Sequence, residues 1–177
     1  QLYMNKPGDD TTIATVKIVS RKNVCLYSGP PMDKSCDERL VTEFMIPEGK
    51  KIVCGGSSAN IVSRVLKQPL MPSIEYSDPE IPPTATIAGI DLVTEGVITL
   101  KRTVDILKSY VENPTGKEVL ASLDLKNGAS QIAKMLIEDC THLYLYIGQS
   151  INPAHQNPDL PFDLSIKMII LDELYSL

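Results

Sequence analysis

Apolar and polar positions along the chain recur with two different periods, and together they predict short strands alternating with helices. The predicted strands, apolar runs that in part alternate with period two, are residues 14–20, 23–27, 50–56, 85–96 and 141–148. The predicted amphipathic helices, with apolar side chains three and four positions apart, are residues 36–46, 57–68, 97–111, 129–140 and 163–177. This alternation is typical of βαβ units and predicts an α/β fold. We expect a mostly parallel sheet with helices on both faces in a Rossmann-like three-layer arrangement, plus an N-terminal orphan strand.

Local signals refine the boundaries of these elements. Ser57 or Ser58 is placed to cap the helix that follows the third strand, and Asp163 to cap the last helix. Residues 68–83 contain five prolines, which predicts an extended excursion. Residues 112–128 are interpreted as an irregular connector. The helix at 97–111 is predicted to bury one stripe, consisting of Leu100, Val104, Leu107 and Val111.

Composition and charge exclude several classes of partner. The chain has 43% hydrophobic residues and a mean hydropathy of −0.01, and no apolar run approaches the roughly 20 residues that span a bilayer, so we expect no membrane insertion. The net charge of −5, without a basic block, argues against nucleic acid as a partner. The four cysteines form no CxxC pair, which favours a reducing, cytoplasmic setting.

Four polar stretches directly follow predicted strands, at residues 28–31, 55–60, 94–96 and 148–155. In an open parallel sheet such loops emerge at one edge, and ligands bind outside the carboxyl ends of the strands. The sequence therefore predicts one shared pocket at this carboxyl edge.

The stretch at 55–60 is the sharpest of the four. Two glycines allow a tight turn close to a ligand, and the first N–H groups of the following helix favour an anion such as a phosphate or carboxylate. The predicted cradle consists of Gly55, Gly56, Ser57, Ser58 and Asn60. A tight turn that glycine permits, followed by a serine cap, explains the same residues equally well. The stretch lacks the lysine of a P-loop and the third glycine of a dinucleotide-binding motif.

Four further residues are predicted to surround this cradle. Thr94 and Glu95 offer a hydroxyl and a carboxylate to a ligand hydroxyl or amine, although Glu95 also suits the dipole of the next helix. Asn152 and His155 lie in a polar, proline-rich loop, where His155 could bind or exchange a proton, or could simply be solvated.

The segment KPGDDTTIATVKI (6–18) resembles the last strand of the metal-dependent, type 2C protein serine/threonine phosphatases, and especially the bacterial family related to sporulation stage II protein E. In that family a polar residue, an Asp pair and a Thr or Ser lead into an apolar strand. The resemblance implies that Asp9 is one ligand of a Mn or Mg ion, with Asp10 beside it and Thr12 in the turn that follows. Carboxylate oxygens suit such ions, but one Asp is never a site by itself.

Residues 29–66 and 81–102 resemble a carboxyl-terminal extension of one group of these phosphatases. The resemblance implies that residues 1–21 are the last strand of an upstream catalytic domain and that residues 22–177 are an α/β accessory domain. The other catalytic aspartates of the family are not present in this chain, so we expect the fragment to be inactive alone and to need no cofactor. Its implied partners are the upstream domain and, for the intact protein, a phosphoprotein substrate.

Two other functional classes remain open. The domain could be a protein-interaction or dimerisation module without a small ligand, in which case an exposed apolar patch and a homodimer are expected. It could instead be an independent small-molecule enzyme, in which case His155 or Glu95 should be indispensable.

Overall fold

The computed structural model of the chain describes residues 13–73, 78–150 and 163–177. Across these ranges the strands are β1 (Asn23–Ser28), β2 (Lys50–Cys54), β3 (Met71–Pro72), β4 (Ala85–Thr86), β5 (Leu92–Thr94) and β6 (His142–Ile147). The helices are α1 (Asp37–Met45), α2 (Gly56–Leu66), α3 (Val97–Glu112), α4 (Lys117–Leu123), α5 (Gly128–Glu138) and α6 (Asp163–Ser176). A 3₁₀ turn at Lys34–Cys36 precedes α1.

The strands form one sheet in the order β3-β4-β5-β2-β1-β6. The pairs β5–β2, β2–β1 and β1–β6 are parallel, while β3 and β4 add an antiparallel edge. The chain first moves outward from β1 through β2 to β5, and then returns to place β6 on the other side of β1. The strand order therefore reverses between β1 and β6, and the predicted α/β fold with a mostly parallel sheet is confirmed.

Two apolar cores cover the two faces of the sheet, because successive side chains of a strand point to opposite faces. On one face, Tyr27 of β1 packs under α1 and α2, with its ring centroid 5.8 Å from that of Phe44. On the other face, Leu26 belongs to a core that α3, α5 and α6 complete with Leu100, Ile132 and Leu171. The helices on both faces give the three layers that the sequence pattern predicts.

The strand predicted at residues 14–20 is not formed within the described sheet. Residues 13–22 have no regular secondary structure, the side chains of residues 13–20 are exposed, and none of the pairings in the described sheet includes them. A strand needs a neighbour to accept and donate its main-chain hydrogen bonds, and alternation alone does not supply one.

The single strand predicted at 85–96 is divided in two. A turn with Gly89 at a φ of 89° separates β4 from β5, and the N–H of Ile90 donates to the carbonyl of Ile87 at 3.0 Å. The chain can therefore double back, so that β4 runs antiparallel to β5. The excursion before it supplies β3 as a partner for β4.

Two predictions on the α3 side are also wrong. The connector at 112–128 is not irregular throughout, because it contains α4, which packs against α3 and α5. Val111, predicted to be buried with Leu100 and Val104, is exposed at the last turn of α3. Helical spacing places a residue on a given face of its helix. Whether that residue is buried depends on whether a neighbouring element packs over that part of the face.

Candidate functional site

The loops after β1, β2, β5 and β6 meet at the carboxyl edge of the sheet, as their placement after parallel strands predicts. The N–H of Gly55 donates to the carbonyl of Thr94 at 3.0 Å. On the other side of the edge, the N–H of Gly148 donates to the carbonyl of Ser28 at 3.0 Å, and that of Ser150 to the carbonyl of Pro30 at 3.1 Å. Main-chain hydrogen bonds thus join the loops in pairs.

Gly55 and Gly56 carry the chain from β2 into α2. Gly55 has a φ of 110°, which favours glycine, and its carbonyl accepts the first hydrogen bond of the helix, from the N–H of Ala59 at 2.9 Å. A Cβ on Gly56 would meet nothing within 4 Å, and Ser57 and Asn60 are exposed. The first turn of α2 is therefore open to an approaching ligand.

Ser58 has a different role from both roles predicted for it. It is fully buried, and its Oγ accepts a hydrogen bond from the N–H of Gly29 at 2.7 Å. No side chain of the first turn caps α2, whose N-cap position is Gly55. Ser58 therefore fixes the loop after β1 against α2, because burial directs its hydroxyl into the protein and away from a ligand.

Thr94 and Glu95 differ in availability. Thr94 is buried, and its hydroxyl donates to the carbonyl of Glu95 at 2.8 Å and lies 3.4 Å from the Sγ of Cys54. The Glu95 side chain is exposed at the rim. Of the predicted pair, only Glu95 presents a polar group to solvent.

The start of α3 lies directly beside the start of α2. Gly96 is the N-cap residue of α3, and a Cβ placed on it would be 3.6 Å from the Cα of Gly55. Both helices therefore begin at the same point of the carboxyl edge, although they cover opposite faces of the sheet. The positive ends of two helix dipoles converge there.

Burial keeps the thiol of Cys54, at the carboxyl end of β2, in its neutral form. Burial raises the pKa of Cys54 to about 12; the Thr94 hydroxyl opposes this rise and the Glu95 carboxylate adds to it. The group is therefore a neutral thiol near pH 7, and the thiolate is the reactive form.

Lys167 of α6 is the functional candidate that the sequence analysis missed. Its Nζ donates to the carbonyl of Gly148 at 2.7 Å, and the side chain is only 8% exposed. A Cβ on Gly29 would overlap this Nζ, so the ammonium lies against the loop after β1 as well. The signal in the sequence was a single lysine within the apolar run LSIKMIIL. A lysine is rarely buried among apolar side chains unless its ammonium has a partner.

Three predicted residues lie outside the described residues: Asn152 and His155 of the ligand site, and the predicted metal ligand Asp9. Within residues 13–73, 78–150 and 163–177, no three His, Cys, Asp or Glu side chains are grouped so that they could hold a metal ion. Over the same part of the chain, no helix has both the length and the apolar character needed to cross a bilayer.

Comparison with known proteins adds no relative: no family model, no curated protein and no solved structure matches this chain. The case for a function therefore rests on the chemistry of the carboxyl edge and on the sequence resemblance described above.

Proposed function

We propose that residues 22–177 form an accessory domain of a bacterial, metal-dependent protein serine/threonine phosphatase related to sporulation stage II protein E, and that this domain binds a small anionic ligand at its carboxyl edge. The phosphatase part of the proposal is supported by the segment KPGDDTTIATVKI. The ligand part is supported by the geometry around Gly55, Gly56 and Lys167. Ligand binding would regulate the catalytic domain if the ligand favours one arrangement of the two domains.

The observation that carries the ligand proposal is the buried ammonium of Lys167 at the reversal point of the strand order. It lies beside Gly29 and Gly148, in the loops after β1 and β6, where ligands of open α/β sheets bind. An ammonium about 4 Å from an anion contributes about 4 kcal/mol at an effective dielectric constant of 20. Each helix N-terminus contributes only about 0.3–1 kcal/mol. A lysine ammonium is thus a stronger attraction for an anion than a single helix N-terminus.

The starts of α2 and α3 would orient the bound anion. The open first turn of α2, at Gly56 and Ser57, presents N–H groups that precede the first hydrogen bond of the helix. Glu95 at the rim would accept a hydrogen bond from a hydroxyl or amine of the same ligand. This arrangement favours an organic anion that also carries a hydrogen-bond donor.

The upstream domain is supported by the residues that precede β1. Ile13, Val16 and Ile18 are 83%, 87% and 94% exposed. Apolar side chains in an alternating segment gain most when they pack into a sheet, and the described sheet does not include them. A catalytic domain before residue 22 would supply that sheet.

The described residues do not fit a resident Mn or Mg ion, because they contain no group of three metal-ligating side chains. In the proposed intact protein the ion would be held by the upstream domain, to which the resemblance assigns Asp9. Because the resemblance places the other catalytic aspartates of the family upstream, this chain alone is expected to lack phosphatase activity.

Thermal unfolding of the 177-residue chain tests the ligand proposal. The probes are inorganic phosphate, AMP, citrate, glucose and MnCl₂, each compared with KCl at the same ionic strength. An anion at 100 times its dissociation constant should stabilise the protein by about 2.7 kcal/mol, which raises Tm by roughly 5–11 °C.

Three variants make the test specific. Lys167→Met should abolish the shift and Lys167→Arg should retain part of it, while Lys117→Met at exposed Lys117 of α4 serves as the matched control. Melting without ligand shows whether each variant folds. The ligand proposal is refuted if none of the probes shifts Tm, or if Lys167→Met responds like the control.

A further inference from the structure

A groove runs between α3 and α6 on the outer side of the helix layer. Its larger part has a volume of about 530 Å³ and a floor formed by Ile81 and Ile170, both nearly buried. Its walls include Ile98, Ile166 and Ile169, which are 56%, 44% and 57% exposed. The groove is thus an apolar depression whose side walls remain in contact with water.

The groove continues along α6. A second cavity of about 390 Å³ shares Ile169 and Glu173 with the first and reaches Leu177. From Ile166 to Ser176, the last residue of α6, the helical rise of 1.5 Å per residue gives a length of about 15 Å. A depression of this length between two helices fits a third helix better than it fits a compact small molecule.

The sequence of α6 is apolar on both sides of the helix. Ile170, Leu171 and Leu174 face the core, whereas Ile166 and Ile169 face the groove. A helix with apolar side chains on two sides can pack against a neighbour on each of them. The α6 helix is therefore itself suited to be the third helix of such a groove.

Charges of both signs flank the groove. The α3 side carries Lys101, Arg102 and Asp105, and the α6 side carries Asp172 and Glu173; Lys101 pairs with Asp105 at 2.8 Å. Glu173 accepts from Lys108 at 3.0 Å, whereas Arg102 and Asp172 are exposed. A two-fold interface brings the same surface of two copies together, so a surface that carries both signs can complement itself.

We propose that the α3–α6 groove is the interface of a two-fold homodimer of this chain. The Ile166 and Ile169 ridge of each copy packs into the groove of the other, and the exposed Arg102 of one copy faces the exposed Asp172 of the other. The dimer would be a four-helix layer of two α3 and two α6 helices. This inference does not depend on the proposed anion site.

Sedimentation equilibrium of the 177-residue chain at 1–100 µM tests the dimer. The expected result is a concentration-dependent approach to twice the monomer mass of 19.4 kDa. Ile169→Glu should weaken association at least 100-fold, whereas Ile46→Glu, at an exposed isoleucine at the end of α1, should leave it unchanged. Circular dichroism verifies that both variants fold.

Should Ile169→Glu fail to fold, Ile169→Ala serves in its place, with an expected weakening of about tenfold. A monomer at 100 µM overturns the proposal. A dimer that tolerates both Ile169 variants also overturns it, because another surface would then hold the two copies. Binding of dodecanoate to a monomeric protein would also overturn the proposal, because the groove would then be a binding site for a small amphiphile.

Discussion

The buried hydroxyl of Ser58 gives the sharpest test of how the carboxyl edge is held together. Its Oγ accepts the N–H of Gly29 at 2.7 Å, and this bond joins the loop after β1 to the first turn of α2. Ser58→Ala removes the acceptor and leaves the N–H of Gly29 without it in a part-buried position. Such an unpaired donor costs about 1–3 kcal/mol.

The neighbouring Ser57 provides a matched control. It lies in the same first turn, has the same side chain and is exposed, so Ser57→Ala changes helix propensity in the same direction without removing a buried bond. We expect the free energy of unfolding to be about 1–2 kcal/mol lower for Ser58→Ala than for Ser57→Ala.

Urea unfolding measures this difference. With an m value of about 2 kcal/mol/M, the midpoint of Ser58→Ala should lie roughly 0.5–1 M below that of Ser57→Ala at unchanged m. Equal midpoints for the two variants would show that the Ser58 bond contributes nothing to stability, and would refute the structural role assigned to Ser58.

Two further predictions concern alkaline stability and the glycines of the edge. Burial, with a smaller effect of the Asp37 charge, raises the pKa of Tyr27 to about 12, and burial raises that of Cys54 to about 12. The folded state therefore keeps protons that the unfolded state releases, so the free energy of unfolding should fall as pH rises above about 9. In urea unfolding, Tyr27→Phe should reduce the slope of this free energy against pH by about 1.4 kcal/mol per pH unit above pH 10. An unchanged slope would contradict the raised pKa of Tyr27. A Cβ on Gly148 would overlap main-chain oxygens of the loop after β1, whereas one on Gly56 meets open space. We therefore expect Gly148→Ala to lower stability by about 1–3 kcal/mol or more and Gly56→Ala to raise it by up to about 1 kcal/mol; similar Tm values for the two variants would disprove the difference in packing.

The candidate site could be predicted only in part. The glycine turn at Gly55 and Gly56 and its position at the carboxyl edge followed from a strand, two glycines and a helix in succession. The direction of the Ser58 hydroxyl could not be predicted, because Ser57 and Ser58 are adjacent serines in one helical turn. Only the packing of the loop after β1 distinguishes them. Lys167 was missed because its ammonium lies against two loops that are distant in the chain. Gly29 is more than 130 positions away from Lys167, and Gly148 is about 20 positions away.

The sequence by itself determined the kinds of element and most of their order. The apolar run at β1, the alternation at β6, and the spacings of three and four in α1, α2, α3 and α5 are properties of consecutive residues. The α/β class follows from the alternation of strands and helices alone.

Only the tertiary structure decided the pairings between distant segments. It placed β6 beside β1, divided residues 85–96 so that β4 could turn back on β5, and left residues 14–20 outside the described sheet. It also joined the starts of α2 and α3 and brought Lys167 against the loops after β1 and β6. The physical reason is that hydrogen bonds between strands and contacts between loops are made by residues far apart in the chain, so no local pattern specifies which of them meet.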